Sequence, residues 1–249
     1  METAIIVPAR LQSTRFPQKL LHEIAGTPVI IHTARRIKEQ APELPLFFAV
    51  DHVDLEKALQ ADGFETVMTD PDLQSGTDRI AQANAEIEAD RIINVQGDEP
   101  MVLGEQIMQL KDLIEREGID LATLAHRFEK AEDFYNPNQV KVVMGNNEEA
   151  LYFSRSPMPY HRDNSGEIDD EWLKNNSAYR HLGLYAYTSS FLEKFPKLPA
   201  SKLEQIEKLE QLRALENGFR IAVGITHQPS IGIDTAEDAA NFEKLLTNP

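Results

Sequence analysis

Short apolar runs alternate with amphipathic stretches through the first half of the chain, and that alternation sets the expected architecture. Ala4-Ile5-Ile6-Val7 reads as a buried strand. Pro8 is expected to end its ladder, because proline has no N–H to donate. After the turn at Gly26, Thr27 is expected to cap a helix with Pro28 at its first position. Val29, Ile30, Thr33, Ala34 and Ile37 give that helix one apolar face. A second strand is expected over 46–50, a helix capped by Asp51 over 53–61, and a third strand over 66–68. A helix over 79–88 and a strand over 92–95 follow. This spacing predicts parallel βαβ units with right-handed crossovers.

The second half has a different rhythm. Residues 121–128, 140–144 and 150–154 look like strands with no long helices between them. The polar stretch 163–177 carries Gly166 and five acidic residues and reads as a mobile loop. Residues 182–188 form another expected strand. Ser201-Lys202-Leu203-Glu204 has the capping-box form, and Leu203, Ile206, Leu209, Leu212 and Leu215 keep helical spacing as far as Gly218. A last strand over 221–223 and a helix from Thr235 complete the pattern. The expected fold class is α/β: Rossmann-like, a mostly parallel mixed sheet with a strand-rich second half, in one continuous unit over 1–249.

Composition narrows the function classes. The 249 residues leave room for one large α/β domain or two small ones. No run approaches the roughly 20 apolar residues of a membrane span, and no leader peptide is read at the N-terminus. With no cysteine, disulfides and thiolate metal sites are out, which fits a cytoplasmic protein. A net charge of −16 argues against a nucleic-acid surface. It leaves a nucleotide ligand open, since a few local cations can hold one. Neither a Gly-x-Gly-x-x-Gly nor a Walker A motif is present.

Three stretches carry candidate chemistry. Arg10, Ser13, Arg15 and Lys19 lie in a loop after the first strand, where open α/β sheets hold anionic ligands; such cations can grip phosphate oxygens or simply pair with nearby carboxylates. Gln74-Ser75-Gly76-Thr77-Asp78-Arg79 can approach a flat heterocycle or be an ordinary helix start. Gln96-Gly97-Asp98 follows the strand over 92–95, and Asp98 either holds Mg²⁺ with phosphate oxygens or turns the chain. Asp234 on its own reads as a helix-start residue.

The motifs as a set resemble one family. Arg-x-x-Ser-x-Arg-x-Pro-x-Lys over 10–19 closely resembles the nucleotide-binding loop of the sugar nucleotidyltransferases. Among these it is most similar to the CMP-Kdo synthetases, or 3-deoxy-manno-octulosonate cytidylyltransferases. Gln18 stands where that family usually carries glycine, and is strained if the position needs positive φ. Asn-Val-Gln-Gly-Asp-Glu-Pro over 94–100 and Ile-Gly-Ile-Asp-Thr-Ala-Glu-Asp over 231–238 resemble its metal-binding segments. Residues 74–79 match its base-reading loop, and 151–156, 180–187 and 207–213 match its acceptor segments. The resemblance runs from Ala4 to about Asp238.

What the resemblance implies is specific. The fold is of the nucleotidyltransferase, glycosyltransferase-A-like type, with the nucleotide part at about 1–118 and the acceptor and dimerisation part at about 119–230. CTP and 3-deoxy-D-manno-octulosonate (Kdo) give CMP-Kdo and pyrophosphate, for lipopolysaccharide synthesis. Arg10, Lys19, Asp98 and Asp234 are catalytic, the two aspartates holding Mg²⁺. Arg10, Ser13, Arg15, Lys19, Gln74, Ser75, Gly76 and Arg79 bind the nucleotide. Gln96, Arg155, His181, Tyr185, Glu210 and Gln211 bind the acceptor, with Arg155 on its carboxylate. A cytoplasmic homodimer is expected, with no nucleic-acid partner and no membrane insertion. The alternatives are a related sugar acid (8-amino-Kdo or a sialic-acid-like sugar), a plain sugar 1-phosphate, and a nucleotide-sugar-binding regulator without catalysis.

Overall fold

β1 (Thr3–Ala9) is buried at every position, because it runs through the middle of a nine-stranded sheet. The computed structural model describes residues 1–13, 16–229 and 232–247. In the first half β1 is followed by the hairpin β2 (Glu23–Ile24) and β3 (Thr27–Pro28), α1 (Val29–Gln40), β4 (Leu46–Val50), α2 (Val53–Ala61) and β5 (Glu65–Met68). Then come α3 (Gly76–Ile87), β6 (Arg91–Asn94) and α4 (Gly104–Ile114). The second half opens with β7 (Leu121–Arg127), α5 (Ala131–Tyr135), β8 (Lys141–Met144), β9 (Ala150–Ser154) and α6 (Asp170–Asn175). It ends with β10 (Tyr179–Thr188), α7 (Ser189–Lys194), α8 (Lys202–Glu207), α9 (Gln211–Glu216), β11 (Ile221–Thr226) and α10 (Ala236–Thr247).

The strand order is β11-β7-β10-β6-β1-β4-β5, with β8 added on β10 and β9 on β8. β1 pairs in parallel with β4 and β6, β4 with β5, and β7 with β11. β10 is antiparallel to both β6 and β7. The sheet is thus the mostly parallel mixed one the pattern predicts. Alternation along β1 divides the core: Ile5 and Val7 pack under α1, α4 and α10, while Ala4 and Ile6 pack under α3, α7 and α9. From β1 the chain moves to β4 and β5 on one side, then returns to β6 on the other. The carboxyl ends of β1 and β6 therefore form a topological switch point.

Several local expectations shift. β1 continues through Pro8, which registers with Ala49 of β4. Ile5 donates its N–H on the β4 side, so strand alternation turns the Pro8 nitrogen to the β6 side, where pairing has already stopped at Ile5. Thr27 and Pro28 belong to β3, so α1 starts one residue later, at Val29. α2 is capped by His52, whose ring accepts from Asp54 N, and not by Asp51. The stretch 163–177 is not a plain loop: Asp169 caps α6, and Ile168 and Leu173 are buried with Phe128 and Phe134 in a small separate core. The expected helix over 201–215 is two. Its capping box forms as read, but Lys208 adopts φ 54° and ends α8. Ile206 is consequently 77% exposed rather than part of a continuous apolar stripe. Among the described residues, no helix is long and apolar enough to cross a membrane.

Candidate active site

Four carboxyl-end segments converge at the switch point. The segment after β1 supplies Arg10, Ser13 and Lys19; the one after β6 supplies Gln96, Gly97 and Asp98; all six line one cavity together with Asp234. A second cavity, lined by Gln74, Ser75, Gly76 and Arg79, shares Pro8, Arg10 and Gln96 with the first. The two are one cleft, with Gln96 and Arg10 at its waist. Arg15 lies outside the described residues.

The cation-and-carboxylate end is built by long-range contacts. Lys19 Nζ donates to Asp98 Oδ2, and to Asp234 Oδ1 at 3.1 Å. Ile233 N donates to Asp98 O at 2.8 Å, which brings the chain after β11 against the chain after β6. Asp238 Oδ2 accepts from the backbone of Asp234 at 3.0 Å and of Thr235 at 2.8 Å, fixing the turn that presents Asp234. Gly97 lets the chain pass close to the core: a Cβ there would stand 2.9 Å from Ile30 Cδ1 and push that side chain aside. Gln18, immediately before Lys19, has φ 50° and ψ 31°, the left-handed geometry its place in the motif implied.

The other end is a loop held from behind. Ser75 caps α3 by accepting from Asp78 N, and Gln74 Nε2 donates to Asp72 O at 2.7 Å. Gly76 meets only ordinary contact with Pro8, so nothing in the protein's own packing demands glycine there. Arg79 is 2% exposed; it donates to Thr69 Oγ1 and to Asp70 O and pairs with Asp51 at 3.4 Å. Burial holds its pKa below the ordinary arginine value against the opposing pull of Asp51, and Arg10 adds to the lowering. Arg79 thus braces the loop while lining the cleft. Asp51, which sequence reasoning spent on a helix cap, accepts from Leu11 N at 2.8 Å and so ties the first loop to Arg79.

The expected acceptor residues divide. Tyr185, Glu210 and Gln211 line a small cavity beside Thr77, and His181 packs on Tyr185 at 5.3 Å. Gln211 Nε2 is buried with no hydrogen-bond partner among the described residues, a donor able to serve a ligand oxygen. Glu210 accepts from Thr77 Oγ1 at 2.7 Å, and burial raises its pKa against the Thr77 and Ser75 hydrogen bonds. Thr123 Oγ1 donates toward the carbonyls of Leu182 and Leu184 across a bulge in β10 and lies 3.0 Å from His181 Nε2. Burial, followed by the charge of Arg180, pushes the His181 pKa down to about 3.

Of the expected acceptor residues, Gln96 lines the cleft, Tyr185, Glu210 and Gln211 line a cavity that shares no residue with it, and Arg155 lines neither. Its guanidinium donates to the carbonyls of Glu207 at 2.7 Å, Pro137 at 3.1 Å and Lys208 at 3.5 Å. A helix end leaves carbonyls without partners, and Arg155 supplies them where α8 stops.

No group of three or more His, Cys, Asp or Glu side chains suited to a metal occurs among the described residues. Asp98 and Asp234 are a pair, and the cation between them is an ammonium. Two carboxylates beside the Arg10 and Lys19 cations fit magnesium, which takes one or two protein oxygens and fills its shell with phosphate and water.

A family model described as cytidylyltransferase matches residues 4–221. A 3-deoxy-manno-octulosonate cytidylyltransferase of Thermodesulfovibrio yellowstonii is 44% identical, covering 99% of this chain and 98% of that protein. One from Neisseria meningitidis is 40% identical over 95% of each. A solved structure of CMP:2-keto-3-deoxy-manno-octonic acid synthetase complexed with CTP superposes with TM-score 0.90 at 35% identity, covering 99% of both chains.

Proposed function

The chain belongs to the cytidylyltransferase family, and on that premise we propose how it joins CTP to Kdo, giving CMP-Kdo and pyrophosphate. The observation that carries the reading is the single cleft in which Arg10, Lys19, Asp98 and Asp234 run through Gln96 into the pocket at Gln74 and Ser75. A triphosphate fits the first end and a pyrimidine the second.

In the reaction the acceptor's 2-hydroxyl oxygen bonds to the α-phosphorus of CTP in line. The bond from that phosphorus to the bridging oxygen breaks, and pyrophosphate leaves with the electron pair. The hydroxyl proton passes to water. Arg10 and Lys19 donate charge-assisted hydrogen bonds to the oxygens on which charge builds. Gln96, at the waist, holds the acceptor near the α-phosphate, and alignment supplies much of the rate. Asp98 and Asp234 would hold Mg²⁺, which would supply neutralisation of triphosphate charge and a lower pKa for the attacking hydroxyl. Ser75 and Gln74 read the base, while Tyr185 and Gln211 wall the acceptor side. His181, neutral above its low pKa, orients by hydrogen bonding and takes no proton.

In this reading the protein works as a cytoplasmic homodimer through its second half. The edge strand β9, which pairs only with β8, supports this, since Leu151 on it is 63% exposed.

The test is pyrophosphate release from CTP and Mg²⁺ with Kdo, 8-amino-Kdo and N-acetylneuraminate supplied separately. Release with Kdo upholds the reading. Preference for another acceptor keeps the mechanism and replaces the substrate. CTP binding without release from any acceptor would instead mark a regulator.

A further inference from the structure

The β1–β4 ladder ends on a side chain. Ile5 donates its N–H to the Pro45 carbonyl oxygen at 2.8 Å, and the register runs on to Ala9 beside Val50. Parallel pairing repeats at every second residue, so continued pairing would bring Leu11 N to the carbonyl oxygen of Asp51. Leu11 N donates instead to Asp51 Oδ1, also at 2.8 Å and across the same span of 40 positions. The carboxylate replaces a backbone carbonyl and reaches farther out. The chain can then leave the sheet after Ala9 with the Leu11 N–H still satisfied. Arg10 and Ser13 stand on this departing segment and line the cleft.

The second oxygen of Asp51 faces the other end of the cleft. Its Oδ2 lies 3.4 Å from Arg79 Nη2, with the Asp51 side chain 10% and that of Arg79 3% exposed. Arg79 Nη1 donates to Thr69 Oγ1 and to Asp70 O. Thr69 is tied in turn to Val50 O, through its N–H and through its hydroxyl. The segment leading to Gln74 and Ser75 is thereby anchored at the end of β4. Two donors from different segments thus meet on one carboxylate, which has an oxygen for each. An asparagine has the same shape but a single oxygen, so serving either donor turns its NH₂ toward the other.

We propose that Asp51 is a positioning residue that sets the Arg10 segment against the Gln74 and Ser75 segment at the spacing CTP spans, a role that rests on the reading of the cleft as the CTP site. Because Asp51 faces the Arg79 charge, Arg79 acts as a brace, and Arg10 is the cation that the waist turns to the nucleotide. A segment released in the free protein must be ordered again when CTP arrives. The loss is therefore read in CTP affinity, as the cost of missing preorganisation.

The experiment uses the full-length protein and puts Asp51→Asn and Asp51→Ala each into the wild type and into Arg79→Met. Three readouts are taken: the Kd for CTP by calorimetry, the KM for Kdo, and the backbone amide signal of Leu11 in leucine-labelled protein. That signal is identified as the one missing in Leu11→Ile. In the wild-type background Asp51→Asn is expected to weaken CTP about three- to tenfold, the worth of one hydrogen bond, and Asp51→Ala at least as much. The KM for Kdo should stay in place. Arg79→Met removes the second donor, so there Asp51→Asn should cost nothing further and leave the Leu11 signal where it stood. Asp51→Ala should still move that signal and weaken CTP again. An equal penalty for Asp51→Asn in both backgrounds would overturn the two-donor account. A shifted Leu11 signal with unchanged CTP affinity in Asp51→Ala would overturn the positioning role. So would a matching loss for CTP and Kdo with a lowered urea midpoint, since the fold as a whole would then have loosened. If the wild type binds no CTP, the reading of the cleft falls, while the Leu11 signal still decides whether Asp51 holds the segment.

Discussion

Ile233 donates its backbone N–H to the carbonyl oxygen of Asp98 at 2.8 Å. That bond registers two segments far apart in sequence so that Asp98 and Asp234 both reach Lys19 Nζ. Charge balance at this point is therefore shared among three side chains, and each can be varied separately.

Asp98→Asn keeps the shape and removes one charge. Turnover at saturating Mg²⁺ is expected to fall by about 10²-fold or more, because the loss acts where charge develops in the transition state. Pyrophosphate release measures it; near-wild-type kcat would remove Asp98 from the metal role.

Lys19→Met should separate two functions of that ammonium. Without the lysine, the two carboxylates repel each other and a divalent cation relieves them, so Mn²⁺ or Mg²⁺ should bind more tightly in the absence of CTP. The same variant should lose kcat/KM for CTP. Calorimetry with the metal alone decides the first point, and equal or weaker binding would count against the shared-charge account.

Gln18 holds a left-handed backbone, which costs an L-residue roughly 1–2 kcal/mol relative to glycine before glycine's larger chain entropy is subtracted. Gln18→Gly should therefore stabilise the fold by about 0.5–1 kcal/mol, read from the urea midpoint. A lowered midpoint would mean that the Gln18 side chain contributes more than its backbone costs.

Arg155→Ala should act on stability first. Two carbonyls at the end of α8 and that of Pro137 lose a donor, and a loss of about 1–3 kcal/mol is expected. Wild-type stability with a raised KM for Kdo alone would return Arg155 to the acceptor carboxylate.

For His181 the sign follows from burial. Its pKa drops from 6.5 in the open chain to about 3 in the fold, so the folded state binds fewer protons between those values. The stabilising contribution is complete above about pH 6.5 and is lost as pH falls toward 3. His181→Asn should flatten that part of the acid limb in urea titrations. The pH–rate profile near neutrality should contain no ionisation that disappears in the same variant.

The architecture was legible because apolar runs and amphipathic stretches repeat at a period that only βαβ packing satisfies, as at Ile5-Ile6-Val7 and Val29 to Ile37. α4 was passed over although Ile107, Leu110 and Ile114 hold helical spacing, since Gly104 and the polar residues between them weaken the signal. The break at Lys208 was invisible for another reason: local sequence supports one helix, and only Arg155, more than fifty positions earlier, rewards stopping there. The cleft's aspartates were read from motif likeness, whereas their meeting at Lys19 belongs to the tertiary structure. The partners of Asp51, Asn94, Thr77 and Tyr187 were not legible, because each comes from a different strand, helix or loop. Asp51 alone had a positional hint, standing immediately past the carboxyl end of β4.

β10 lies between β6 and β7, both of which precede it in the chain. During synthesis, β6 leaves the ribosome long before the strand that will cover its free side. Ile92 and Ile93 then border an open hydrogen-bonding edge through the whole time that β7, β8 and β9 are being made. A nascent chain arrested before Tyr179 should therefore bind holdase chaperones or sediment, and one arrested after α7 should do so much less. For a cell making this protein, the yield turns on whether β10 reaches that edge before a neighbouring polypeptide does.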